Sequence, residues 1–255
     1  MLTQDQRAFY HEHGYVVIRG LLPRAEADAL RRECHTLADR LSAHGTIDAT
    51  WGSARGAVAQ GQPTTIVHCH NVEFYAAAFG RLIVDERLTG VAAALMDGPN
   101  VQLHHTKMFI KPPEKGSPFP MHQDYPFFPH RRHSMLAAII HFDDAPVEKG
   151  CVRVVPGSHK RGPLSHVESG GWHLPFEEYP LEAAVPCPAA AGDALFFSYL
   201  TVHGSGINMS DEARTTLLVQ MRDPANAPTE GGHEEPGQGL MLRGINPSVG
   251  TPVVG

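Results

Sequence analysis

The chain has 255 residues, of which 42% are hydrophobic and 19% charged; this suits one domain with a large core and excludes a disordered chain or a coiled coil. Lys and Arg total 21 against 27 Asp and Glu, a net charge of −6, which argues against a polyanion-binding surface and hence against nucleic acid as a partner. The four cysteines are scattered, no basic-then-apolar leader opens the sequence and no run of about 18 apolar residues occurs, so a reducing, cytoplasmic setting with no membrane partner is expected.

In chain order, Thr3 followed by Gln6 has the form of a capping box, and Gly14 is placed to end the helix that it starts. YVVIRG (15–20) reads as a short β-branched strand. Pro23 can open a second helix, along which Leu30, Cys34, Leu37 and Leu41 recur at helical spacing. From Thr46 to Thr65 the Gly-, Ala-, Gln- and Thr-rich sequence has no periodicity and reads as a mobile loop. VEFYAAAF (72–79) and VDERLTGVAAALM (84–96) read as helices.

After residue 100 the pattern changes to short strand-like runs, VQLHHTKMFI, SMLAAIIHF, CVRVV, ALFFSYL and TTLLVQM, separated by Pro, Gly, Asp and Asn. No room is left for regular crossover helices, and 25 glycines with 21 prolines, about 18% of the chain against about 12% on average, supply many turns. The expected fold is therefore mainly β, a jelly roll or double-stranded β-helix of cupin type over 100–223. A helical N-terminal part (1–99) packs on it, and the Pro- and Gly-rich stretch 224–255 forms a tail, lid or arm, all within a single domain.

Two imidazoles and one carboxylate on one face of a metal leave positions open for substrates, as non-haem iron chemistry requires. His-x-Asp on a strand meets part of that need, because residues i and i+2 point the same way. By itself the motif is weak: with 17 histidines about one such pair arises by chance. The chain has His122-Gln-Asp124, His141-Phe-Asp143 and, as a carboxylate variant, His166-Val-Glu168. Context distinguishes the first, since His203 follows the apolar strand ALFFSYL and Arg214 heads TTLLVQM eleven residues later. The His68-Cys69-His70 cluster has ligand chemistry but no matching partner pair, and His159 in PGSHK reads as part of a tight turn.

Taken in order, HEHGYVVIRGLL, GPNVQLHHTKMFIKPP, MHQDYPFF, EKGCVRVVPGSHKRG, GDALFFSYLTVHGSGIN and Arg214 strongly resemble the phytanoyl-CoA dioxygenase family of Fe(II)- and 2-oxoglutarate-dependent oxygenases. The resemblance spans roughly residues 9 to 222, and the ordered series is far more specific than any single motif. It implies His122, Asp124 and His203 as iron ligands and Arg214 as the bidentate partner of the distal carboxylate of 2-oxoglutarate. It also implies Ser205 as a hydroxyl donor to that cosubstrate and Lys107 on a strand position touching it. Where some relatives carry a tryptophan facing the cosubstrate, Ile139 or a neighbour stands here.

The implied reaction consumes O2 and 2-oxoglutarate, hydroxylates an unactivated C–H bond of a small organic substrate, and releases succinate and CO2. Related halogenases have a small residue in place of the carboxylate, so Asp124 argues for hydroxylation. Tyr125, Phe127 and Phe128 are expected to wall the mouth, with His105 on the strand beside Lys107, and Arg131 and Arg132 are expected to meet an anionic group of the substrate. Two other classes stay open at this point: an iron dioxygenase of cupin type that needs no 2-oxoglutarate, and a catalytically silent jelly-roll binding protein. The sequence fixes neither the substrate nor the oligomeric state.

Overall fold

The computed structural model describes residues 2–43, 67–113, 118–167, 172–229 and 234–247. Thr3 caps α1 (Gln4–His13): its hydroxyl accepts from the Gln6 N–H, and the Gln6 side chain accepts from the Thr3 N–H. Gly14, at φ 81°, ends the helix and donates to the Tyr10 carbonyl. A Cβ there would run into the His159 ring and the Thr201 hydroxyl. β1 (Tyr15–Ile18) follows, then α2 (Arg24–Ala43), which buries Ala27, Leu30, Cys34, Leu37 and Ala38 along one face. The loop expected over 46–65 lies outside the described residues.

β2 (Val67–His70) is followed not by a helix over 72–79 but by a 3-10 turn, Val72–Phe74, with α3 starting later (Ala77–Ile83). Asn71 takes φ 54° and the Val72 N–H donates to the Thr106 hydroxyl at 3.0 Å. The chain is thereby turned sharply off the strand before a helix can begin. α4 (Glu86–Leu95) is capped by Asp85, whose carboxylate accepts from the Arg87 N–H at 2.8 Å.

The remaining strands are β3 (Val101–Lys111), β4 (Phe119–His122), β5 (Leu136–His141), β6 (Val152–Val154), β7 (Val185–Pro186), β8 (Ala194–Ser198), β9 (His203–Ser205), β10 (Arg214–Arg222) and β11 (Met241–Arg243). Among the described residues they form two antiparallel sheets, β1-β8-β5-β10-β3-β11, with β2 also on β3, and β4-β9-β6-β7. Together they make the expected jelly roll.

The long edge of β3 is covered twice, by β2 opposite 107–110 and by β11 opposite 101–102. Strands from both ends of the chain therefore complete the major sheet, and the core is not bounded at 100 and 223. The segment expected as a tail or lid supplies β11 and a bridge between Pro228 and His130. An eleven-residue edge leaves backbone donors and acceptors that need partners, and these segments provide them.

Side chains of the major sheet divide between two cores. Met108, Ile110, Leu217 and Val219 pack outward with Leu30 and Leu37 of α2 and Leu88 of α4. Ala137, Leu195, Phe197 and Leu218 face inward, against Val152 and Val154 of the second sheet. Simple alternation would put Leu103 on the same face as Lys107, but the β3–β10 register slips there, with Gln220 opposite His105 and Met221 opposite Leu103. The extra residue, His104, forms a bulge that turns Leu103 into the outer core, while His105, Lys107 and Phe109 face the interior. No helix among the described residues is long and apolar enough to cross a membrane.

Candidate active site

His122 ends β4 and His203 begins β9, and the antiparallel register sets them opposite each other. Asp124 follows at the turn, where its N–H donates to the Tyr199 carbonyl at 3.0 Å. Asp124 Oδ1 is 3.8 Å from His122 Nε2 and 3.7 Å from His203 Nε2. One ligand atom of each residue lies within 4.8 Å of the other two, and this trio is the group among the described residues that could hold a metal.

The backbone fixes both imidazoles in one tautomer. Nδ1 of His122 donates to the Pro120 carbonyl at 2.8 Å and Nδ1 of His203 to the Thr201 carbonyl at 3.0 Å. A carbonyl can only accept, so each Nε2 keeps its lone pair for the side occupied by Asp124. Burial holds the rings neutral, with His122 lowered to about 3 and His203 to about 4, while burial raises the Asp124 carboxyl to about 6. Asp124 Oδ2 is buried without a hydrogen-bond partner. Two neutral nitrogens, a carboxylate and an orphaned buried oxygen fit a divalent iron ion, which would satisfy all of them.

Among the described residues, those of the other His-x-carboxylate pairs belong to no group that could hold a metal. Asp143 accepts from the Thr215 N–H and pairs with Arg31, and His141 is buried on the last position of β5. His166 Nε2 accepts from the Gln123 N–H at 2.9 Å; Glu168 lies outside the described residues. His68 and His70 face the active-site cavity from β2, whereas Cys69 packs against the outer core. Among the described residues they join no group that could hold a metal.

The metal trio stands on one wall of a cavity of about 540 Å³ that also exposes Arg214, Ser205 and Lys107. Arg214 is buried, which pushes its guanidinium down to about 10, and its Nη1 donates to the Gly150 carbonyl. Opposite it on β3 is Lys111, a residue that the sequence reading did not single out. Lys111 Nζ donates to Ser205 Oγ at 2.8 Å and to the Gly206 carbonyl at 2.6 Å. Burial first, and the Arg214 guanidinium second, hold the Lys111 ammonium well below its ordinary value. No carboxylate among the described residues pairs with either cation, so this end of the cavity is built for an anion from outside. Because Ser205 Oγ accepts from Lys111, its own proton is left to donate to that anion. The signal for Lys111 was its spacing, four residues beyond Lys107 on the same strand face.

Gly150 holds this corner together at φ 64°, and a Cβ there would collide with the backbone oxygens of Gly206 and Ile207. We expect Gly150→Ala to lose about 2–4 kcal/mol and to lower the thermal midpoint by about 5–10 °C; an unchanged midpoint in differential scanning fluorimetry would contradict the packing described.

Phe127, Phe128, His105 and Ile139 line the cavity as well. Tyr125 does not. It packs on the rings of His133 and Tyr199 and lines a smaller depression beside Trp172. Arg131 and Arg132 also lie outside the cavity, which corrects the expectation that they meet substrate. The Arg131 N–H donates to the Ala227 carbonyl and the Arg132 N–H to Asn226 Oδ1, pinning this backbone against the following loop, and the Arg132 side chain points to solvent beside Asp223.

The sequence profile of the family described as phytanoyl-CoA dioxygenase (PhyH) matches residues 10–216. The chain belongs to the phytanoyl-CoA dioxygenase family. It is 29% identical over 239 residues to the peroxisomal phytanoyl-CoA dioxygenase of Bos taurus, covering 88% of this chain and 69% of the relative. It is also 29% identical over 222 residues to the methylphosphonate hydroxylase of Gimesia maris, covering 86% and 80%. The epimerase SnoN, solved with Fe3+, alpha ketoglutarate and nogalamycin RO, superposes with a TM-score of 0.72 at 26% identity, covering 94% of this chain and 98% of SnoN. This family member is accordingly a 2-oxoglutarate-dependent dioxygenase that uses iron and O2.

Proposed function

We propose that this phytanoyl-CoA dioxygenase family member hydroxylates a C–H bond of a small organic substrate, with His122, Asp124 and His203 holding iron. Arg214 and Ser205 bind the distal carboxylate of 2-oxoglutarate, and Lys111 holds Ser205 in place for it. The observation that carries the reading is the placement of the three ligand atoms, all within 4.8 Å of one another, on a cavity whose other polar end exposes the buried Arg214 guanidinium and Ser205, with Lys111 bonded to Ser205 Oγ. When bound, iron with 2-oxoglutarate and O2 supplies the oxidising power, and succinate and CO2 are released.

The protein's part is geometric. Pro120 and Thr201 carbonyls keep the ligating nitrogens deprotonated, Lys111 aims the Ser205 proton, and Phe127, Phe128 and Ile139 give apolar walls that exclude water. A silent binding protein or an iron enzyme without 2-oxoglutarate has no use for the Arg214–Lys111 pair. The substrate is a small molecule; methylphosphonate and hypophosphite, for which two relatives are named, set the class of acids to try first. The activity belongs to a single catalytic domain with Lys107 beside the cosubstrate, and its cytoplasmic setting agrees with four free cysteines.

The test is succinate release from 2-oxoglutarate with Fe(II) in air, screened against small carboxylic and phosphonic acids. Stimulation by at least one acid supports the proposal. Turnover that ignores 2-oxoglutarate would reject it. Ser205→Ala and Lys111→Met should each raise KM for 2-oxoglutarate about tenfold, and the double variant should add little, because one side chain acts through the other; additive effects would separate their roles.

A further inference from the structure

We infer that the end of the cavity remote from Arg214 binds an oxyanion group of the substrate, recognised by Gln220, His70 and His105. The inference rests on the proposed function only in assigning the Arg214 end to 2-oxoglutarate.

The cavity is longer than the cosubstrate. Arg214, Thr216, Leu218 and Gln220 line it in order along β10, and six residues of strand span about 20 Å. A five-carbon diacid covers roughly a third of that. Across the sheet, Lys111 faces Arg214 at one end and His105 faces Gln220 at the other, and His70 on β2 is in register with Lys107. Leu218, Phe109 and Ile139 give the middle an apolar floor. Two polar ends separated by an apolar stretch match two ligands, each with its charged group directed away from the other.

Gln220 is fully buried, and neither its amide oxygen nor its nitrogen has a partner. An unpaired buried amide is destabilising unless a ligand completes it. Its NH2 can donate to an anionic oxygen, and its carbonyl can accept from a hydroxyl or ammonium on the same molecule. His70 stacks on His105, with centroids 5.9 Å apart and planes at 23°. Its Nδ1 is 3.1 Å from the Glu235 carboxylate, which also accepts from Asn71 Nδ2 at 2.7 Å. Glu235 is thus engaged behind the ring rather than opposing an anion, and Nε2 is the ring's remaining polar atom. Of the nearby Glu73, Oε2 accepts from the Thr106 hydroxyl and Oε1 is buried against Gly237. Imidazole and amide donors suit an oxyanion.

The test uses the full chain, loaded without oxygen with Fe(II) and saturating 2-oxoglutarate so that the Arg214 end is filled. Methylphosphonate, propionate and the neutral dimethyl sulfone are titrated calorimetrically. At least one anion should bind, and the sulfone should bind at least tenfold more weakly. Gln220→Leu and His70→Phe should each weaken anion binding at least tenfold while the visible band of the Fe(II)–2-oxoglutarate complex persists; Gln220→Glu, which adds a negative charge, should abolish it. The inference is overturned if neither anion binds, if the sulfone binds as tightly, or if both Gln220→Leu and His70→Phe keep anion affinity. A wild-type protein without the visible band instead overturns the cosubstrate assignment, so the two failures are read separately.

Discussion

Asp124→Ala is expected to lower 2-oxoglutarate-coupled turnover by at least about 10³-fold. Asp124 is the one carboxylate of the metal trio, and its loss leaves two neutral imidazoles with no anionic donor. Removing even an outer partner of a metal ligand typically weakens metal binding or activity by about 10–100-fold, so loss of a direct ligand is worth more. The fold should not suffer: Asp124 Oδ2 has no hydrogen bond to lose, and burial already disfavours the ionised form. The metal-free variant should therefore keep or raise its thermal midpoint. Succinate release, calorimetric Fe(II) binding and the midpoint measured together separate loss of the metal from unfolding. Full turnover in this variant would remove Asp124 from the site.

The second large effect concerns Arg214. Arg214→Lys should raise KM for 2-oxoglutarate by about 10²-fold, equivalent to about 2.7 kcal/mol, with a smaller change in kcat at saturation. A guanidinium can hold a carboxylate by two parallel bonds, whereas an ammonium is a point charge on a flexible stem. The residual Lys111 ammonium is already committed to Ser205 and the Gly206 carbonyl and cannot replace it. Arg214→Met should be worse still. A variant with unchanged KM and reduced kcat would mean that Arg214 shapes the corner without anchoring the cosubstrate.

Much of this site could be read from sequence because it depends on order and on short-range geometry. Thr3 and Gln6 form their cap within one helical turn. His122, Asp124, His203 and Arg214 fall at strand ends, where two residues of spacing or a strand boundary settle which way a side chain points. What escaped depended on pairing between distant segments. One bulged residue, His104, reverses the face of Leu103 relative to Lys107, and no composition or alternation rule marks it.

β2 and β11 join an edge of β3 that only the folded sheet defines, which is why His68 and His70 read as an isolated cluster and the segment around Glu235 as a tail. Arg131 and Arg132 follow the aromatic mouth in sequence, yet bonds to Ala227 and Asn226 turn them away from it. Gln220, neutral and on an apolar strand, has no sequence signature; its interest lies in being buried with no partner.

The central claim, iron at His122, Asp124 and His203 with 2-oxoglutarate reaching from it to Arg214, is tested most directly by anaerobic visible spectroscopy. Fe(II) and 2-oxoglutarate added together should give a weak charge-transfer band that neither gives alone. Arg214→Met should need about 10²-fold more 2-oxoglutarate for half the signal. No band with both present, or a 2-oxoglutarate dependence that Arg214→Met leaves unaltered, would contradict it.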